Sequence, residues 1–377
     1  MSGVAASRMA AQPRAAFVSS EVYRRSGFGD NHPLSIPRVC AVMELCAALG
    51  WLPDGGYEDS PQATPAQLAR YHDPAYIAVV RDIDARGRAT PEERKRYGIG
   101  TRENPVFEDL YLRATTACGG SIRAARIALS GGVGFNPAGG THHGMRDRAH
   151  GFCYFNDPVM AILTLLEGGV GRVLYVDLDA HHGDGVEAAF AHDARVLTVS
   201  IHEEGRWPFT GAAGDRAKGY ARNLPVPRGF NDTELEYLID HAVMPLADWY
   251  APQAVVVTCG ADGLADDPLS AMTLTNAALW RAVERLVALT PGAVVLGGGG
   301  YNPWTVARCW SGLWAVLNRW DRPSRLPADA ERILRALDSH LIEEEDRADW
   351  WCTTLEDAPR PGEVREEVAA LPAQVLG

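Results

Sequence analysis

Nothing in the 377-residue chain approaches the roughly 18 consecutive apolar residues of a membrane-spanning helix, so no membrane partner is expected. Residues 1–14 place two arginines among small residues without a continuous apolar run, which argues against a secretory signal. Cysteine is sparse and odd in number: seven residues, none in CxxC spacing. Disulfide frameworks and cysteine-rich zinc sites are therefore not expected. Cys40, Cys46, Cys259 and Cys309 sit among apolar neighbours and read as small hydrophobes in a reducing cytoplasm. Positive charge is also in deficit, with 36 Lys and Arg against 48 Asp and Glu and a net charge of -12. That balance argues against a general nucleic-acid surface. Neither GxGxxG nor GxxxxGK[ST] occurs, which weakens a nucleotide-binding reading. No internal repeat, low-complexity tract or linker divides the chain, so residues 14–377 are expected to form one domain behind a flexible segment 1–13.

What is present alternates. Short apolar runs at 15–19, 133–136, 172–177, 195–201, 254–259 and 293–296 read as strands. Helical patterns lie at 38–49, 74–86, 108–130, 157–166, 232–250, 276–289 and 303–317, with 94–105 an exposed loop. Strands separated by helices imply right-handed crossovers and a mostly parallel sheet covered on both faces, an α/β fold. Beyond Pro323 the chain is helical in part and either covers the sheet or frays.

Reactive residues gather where strands end, the region in which open parallel sheets bind ligands. Asp177, Asp179, His181, His182 and Asp184 follow the apolar run Val173–Val176. On an extended backbone Asp179 and His181 leave the same face, as two ligands of a divalent metal would. The plainer alternative is a helix-capping Asp followed by two satisfied histidines. Asp262 follows another strand; alone it reads as a cap or loop residue, and its parallel with Asp179 strengthens the case for a third ligand. His142-His143, between Gly140 and Gly144, suits acid–base chemistry, or else ligates metal through one ring. Tyr301 follows four glycines, which would let a phenol approach a reacting carbonyl.

These segments together resemble the histone deacetylase superfamily, in its bacterial branch of histone-deacetylase-like amidohydrolases and acetoin-utilisation deacetylases. The matching runs are Thr141–Gly144, Gly151–Asp157, Val176–Glu187, Gly260–Asp262, Gly297–Asn302 and Arg308–Trp310. The resemblance covers about residues 14–320 and implies a single-domain arginase/deacetylase fold with about eight mostly parallel strands flanked by helices. It implies one zinc ion on Asp179, His181 and Asp262, with Fe²⁺ or Co²⁺ compatible with that donor set. His143 becomes the general base and His142 its partner, oriented by Asp184 and Asp177 respectively, and Tyr301 polarises the acyl carbonyl. Gly151, Phe152, Trp207 and Leu269 would line the substrate tunnel, Trp207 standing where phenylalanine is commoner. Structural K⁺ or Na⁺ sites would involve Asp177, Asp179, His181, Ser200 and Ile201, and a second set Phe190, Asp193 and Val196. Arg38 resembles an arginine of an internal channel, and His182 is left to pack.

The implied reaction is hydrolysis of the amide of an acetylated lysine side chain in a peptide or protein, releasing acetate and free amine. Acetylated polyamines and other small acyl amines are the next substrates. Leu269, in place of a gatekeeping carboxylate, disfavours a cationic polyamine. A ureohydrolase of the same fold is disfavoured because Gly183 occupies the position of its DAHxD aspartate. Glu103 is a solvated rim carboxylate that could grip a peptide backbone. An oligomer is compatible with all of this.

Overall fold

A computed structural model describes residues 15–376 apart from residues 26, 30–31 and 53–55; residues 1–13, expected to be flexible, lie outside the described residues. Eight strands form one sheet in the order β2-β1-β3-β8-β7-β4-β5-β6. They are β1 (Ala15–Ser19), β2 (Glu58–Asp59), β3 (Val133–Asn136), β4 (Val173–Asp177), β5 (Val196–Glu203), β6 (Ala221–Val226), β7 (Ala254–Thr258) and β8 (Ala293–Leu296). Every pairing among them is parallel.

The alternation of side chains explains why the central strands are apolar throughout. Leu174 and Val176 of β4 enter one core while Val173 and Tyr175 enter the other, so both faces are dry. One face is covered by helices Leu110–Leu129 and Asp157–Glu167, through residues such as Ile122 and Met160. The opposite face carries helices Arg38–Ala48, Asn276–Val287 and Pro303–Asn318. Helix Pro303–Asn318 is buried on all sides because the C-terminal segment lies over it. Trp304 stacks on Trp351 at 5.6 Å, and fully buried Arg308 pairs with Asp357 at 2.8 Å. The C-terminal segment therefore covers rather than frays.

Three expectations need correction. Part of the supposed loop 94–105 belongs to helix Pro91–Tyr97, started by a reciprocal capping box between Thr90 and Glu93. The long helix over 232–250 contains a π turn at Ile239–Val243. Pro245 lies two residues beyond; it lacks an N–H and its ring crowds the carbonyl four residues earlier, so the backbone widens there. The two edge strands, β2 and β6, have no apolar run to announce them. β6 contains Pro225, which an edge strand tolerates.

Candidate active site

Strands β3, β8, β7 and β4 are consecutive neighbours in the sheet. The loops leaving their carboxyl ends carry His142-His143, Tyr301, Asp262 and Asp179-His181 respectively. Four segments far apart in sequence thus converge on one point above the centre of the sheet.

One imidazole nitrogen and one carboxylate oxygen each from Asp179, His181 and Asp262 lie within 4.8 Å of one another. His181 Nδ1 is 2.9 Å from Asp262 and 3.2 Å from Asp179. Burial opposes charge on His181, but the two carboxylates outweigh it and raise its pKa to about 10. The two carboxylates thus favour positive charge at this point, a demand that a divalent cation on these residues would meet in place of the imidazole proton. Backbone donors orient the remaining oxygens: Gly299 N–H donates to Asp179 at 2.6 Å and Ala180 N–H to Asp262 at 3.0 Å. Two carboxylates and an imidazole with backbone-fixed oxygens fit a metal held by three protein ligands with a position left for substrate.

The tandem histidines sit side by side, ring centroids 3.9 Å apart, and each Nδ1 faces its own carboxylate. His142 lies 2.7 Å from Asp177 and His143 2.6 Å from Asp184. Their charge states diverge. Burial disfavours a proton on His142, but Asp177 and Asp179 overcome this and raise its pKa to about 9. His143 is pushed down to about 3, first by burial and then by the neighbouring His142 charge, despite Asp184. A cationic and a neutral imidazole therefore stand together, oriented by two carboxylates.

Tyr301 is buried, and desolvation together with Asp262 and Asp179 raises its pKa well above the usual phenol value, so it remains a hydroxyl donor. Its ring meets Phe152 at 6.0 Å, while Trp207 stands edge-on to His143 at 4.7 Å. These rings, Gly151 and Leu269 border a mouth cavity of about 760 Å³ that reaches His143, His181 and Tyr301. Gly151 is required by space: a Cβ there would lie 2.4 Å from Trp207 and 2.6 Å from His143, at a φ of 54°. Glu103 is not freely solvated, because its carboxylate accepts the Gly151 N–H and fixes the tunnel lip. Arg38 donates to the Gly298 carbonyl at 2.7 Å and borders a second cavity behind Tyr301.

Residues 32–317 match the family described as the histone deacetylase domain. Histone deacetylase 9 of Arabidopsis thaliana is 37% identical over 309 residues, covering 80% of this chain and 72% of that protein. The acetoin utilization protein AcuC of Bacillus subtilis is 32% identical over 83% of this chain and 84% of its own length. A crystal structure of an HDAC homolog from Aquifex aeolicus superposes with a TM-score of 0.92 at 32% identity, covering 96% of this chain and all of that one. An HDAC homolog complexed with SAHA gives the same TM-score and identity. The chain belongs to the histone deacetylase family.

Several supports of this deacetylase-family site are invisible to motif reading. Tyr175 donates to Asp177 at 2.7 Å, while His150 lies 3.3 Å from the second oxygen of Asp184. Asp267 accepts the Tyr301 N–H at 2.7 Å. His72 is buried against the loop that bears the tandem histidines: Nδ1 donates to the Met145 carbonyl at 3.0 Å and Nε2 accepts the Asn156 N–H at 3.0 Å. Asn156 in turn donates to the carbonyls of His142 and Gly144. Only the proximity of Asp73 and Pro74, a helix start, marks that region in sequence. His182 packs with both nitrogens engaged, by Thr210 at 2.8 Å and Glu187 at 3.2 Å.

The residues expected around monovalent cations fall in two places. Asp177 and Ser200 are paired across β4 and β5, with Ile201 next in β5 and Asp179 and His181 just beyond β4. Ser200 Oγ meets His202 at 2.9 Å. Phe190, Asp193 and Val196 form a turn in which Asp193 N–H donates to Phe190 O and Val196 N–H to Asp193 O. The Asp193 carboxylate itself pairs with Arg195 at 2.6 Å. No helix among the described residues is long and apolar enough to cross a membrane.

Proposed function

We propose that this protein is a zinc-dependent deacylase that hydrolyses the side-chain amide of acetylated lysine in peptides or proteins. The observation that carries the reading is the pair of adjacent histidines, each held by its own carboxylate, beside Asp179, His181 and Asp262, with Tyr301 in the same site. A divalent ion on those three residues would supply Lewis acidity toward the acyl carbonyl and the attacking water. His143, neutral and aimed by Asp184, takes the proton of that water as its oxygen bonds to the carbonyl carbon. Tyr301 donates to the carbonyl oxygen as negative charge develops there. His143 then returns the proton to the departing amine, and the C–N bond breaks to give acetate and lysine. His142 stays protonated and contributes fixed positive charge, while Asp177, itself held by the Tyr175 hydroxyl, orients its ring.

Phe152 and Trp207 form an aromatic slot suited to four methylenes of a lysine stem. Leu269, apolar at the gatekeeping position, supports peptide substrates over acetylated polyamines; of the carboxylates at the mouth, Glu103 accepts the Gly151 N–H, Glu203 pairs with Arg206, and Glu204 also borders the adjoining groove. K⁺ or Na⁺ would be structural, held near Ser200 and near Asp193. The deciding experiment compares turnover of acetyl-lysine peptides, longer acyl-lysine peptides, acetylated polyamines and agmatine, with metal content measured on the same sample. One zinc per chain and acetate release from the peptides is expected. Urea release with two manganese per chain would overturn the reading.

A further inference from the structure

Phe209 is the most exposed large hydrophobic side chain among the described residues, at 75%. Its backbone sits at a φ of 63°, a left-handed conformation that glycine adopts freely and that is an outlier for a bulky residue. The Phe209 N–H closes a turn onto the Arg206 carbonyl at 2.8 Å. An exposed ring on strained backbone gains no packing within the chain, and such outliers concentrate where a ligand is contacted. Phe152 gives an internal parallel: it is also left-handed, at 66°, and it forms the tunnel wall.

The position of the ring is as informative as its strain. Phe209 stands between two concavities, one being the tunnel mouth shared with Trp207 and Leu269. The other is an adjoining groove with Ala212, Ala213, Pro225, Pro227 and Leu371 along it. The charged residues lining that groove are Glu204, Asp215 and Glu367, with no Lys or Arg among them. Of the two arginines at the mouth, Arg206 is held by Glu203 at 2.7 Å and by the Leu269 carbonyl at 2.6 Å, and Arg228 borders the mouth rather than the groove.

We infer that Phe209 and this groove read the residue beside the acylated lysine and select lysine or arginine there. The aliphatic stem of such a residue would lie on the Phe209 ring and the apolar floor, with its cation directed to Glu204, Asp215 and Glu367. An acidic neighbour meets like charge, and a purely apolar neighbour brings no counter-charge to Glu204 and Asp215, whereas Glu367 already lies 3.9 Å from Arg365. The inference rests on the deacylase reading and adds the sequence context of its substrate.

The test uses acetyl-lysine peptides that differ only in one flanking residue, Arg, Ala, Phe or Glu, on either side, with the metal-loaded full chain. On one side of the acetyl-lysine, the Arg peptide should exceed the Ala peptide in kcat/KM by about fivefold at low salt, and the ratio should shrink in high salt. In Phe209→Ala the ratio should fall toward one, in Glu204→Gln it should fall in part, and in Phe209→Trp it should persist. Because the readout is a ratio within one preparation, loss of active protein cancels. Phe209→Gly relieves the backbone and removes an exposed apolar ring, so its Tm should equal or exceed that of the parent while the ratio is lost. Equal turnover of Arg and Ala peptides, a preference for Phe, or a ratio unmoved in Phe209→Ala would overturn the inference and leave the deacylase reading intact. No turnover of any acylated amine would instead defeat the deacylase reading.

Discussion

His142 and His143 are chemically identical side chains in adjacent positions, and their surroundings separate them. His142 faces two carboxylates and holds a proton; His143 faces one carboxylate beside that cation and releases its own. Replacing Tyr301 by Phe removes only the hydroxyl that meets the developing oxyanion, so kcat should fall by about 10²–10³ with zinc content unchanged, as metal analysis would show. Asp262→Asn should act differently, lowering metal content and activity together, because it weakens the ligand set itself. Histidines, aspartates and Tyr301 were legible in the sequence because each follows a strand in a short run of unusual residues. Tyr175, His150 and His72 were not: Tyr175 sits inside an apolar strand run that reads as core, the partners of the two histidines lie tens of residues away, and no local pattern distinguishes a buried supporting side chain from a packed one.

At the level of elements, the loop between β3 and helix Asp157–Glu167 is where local sequence and tertiary support meet. Its glycines and histidines are visible as a motif, but its shape depends on His72, which lies outside it. His72→Ala would leave the Asn156 N–H and the Met145 carbonyl without their partner and open a cavity. A loss of about 2–4 kcal/mol is expected in urea unfolding, with kcat reduced more than KM as the tandem histidines lose their register. The six central strands could be read from their apolar runs. β2 and β6 could not, since one is two exposed acidic residues and the other, though mostly buried, interleaves Arg222, Asn223 and Pro225 with its apolar residues.

Over the whole molecule, buried histidines set the pH range of stability. Burial lowers the pKa of His72 from 6.5 to about 4 and that of His202 to about 3. Above about pH 6.5 both are neutral whether folded or not; below it the unfolded chain binds protons that the folded chain refuses. Stability should therefore be lost as pH falls from about 6.5 through 4, His72 alone accounting for about 3 kcal/mol. His142 works in the opposite direction: its raised pKa gives stability that is fully present below about 6.5 and lost as pH rises through about 9. Urea midpoints of the metal-free protein at about pH 5, 7 and 9.5 should be highest at the middle value. Adding zinc should raise the midpoint further, since binding to the folded state alone stabilises it.

The place of β8 has a consequence for how the chain is made. β8 is the last strand in sequence, yet it lies between β3 and β7 and hydrogen-bonds to both. Until residues 293–296 have left the ribosome, β2-β1-β3 and β7-β4-β5-β6 are two separate ribbons, each with a raw apolar edge facing a gap. Nascent chains should thus remain dependent on chaperones through most of their synthesis, and chains arrested before residue 293 should aggregate where longer ones do not. The same late strand carries Tyr301 in behind it, so hydrolytic competence arrives only when the sheet is closed.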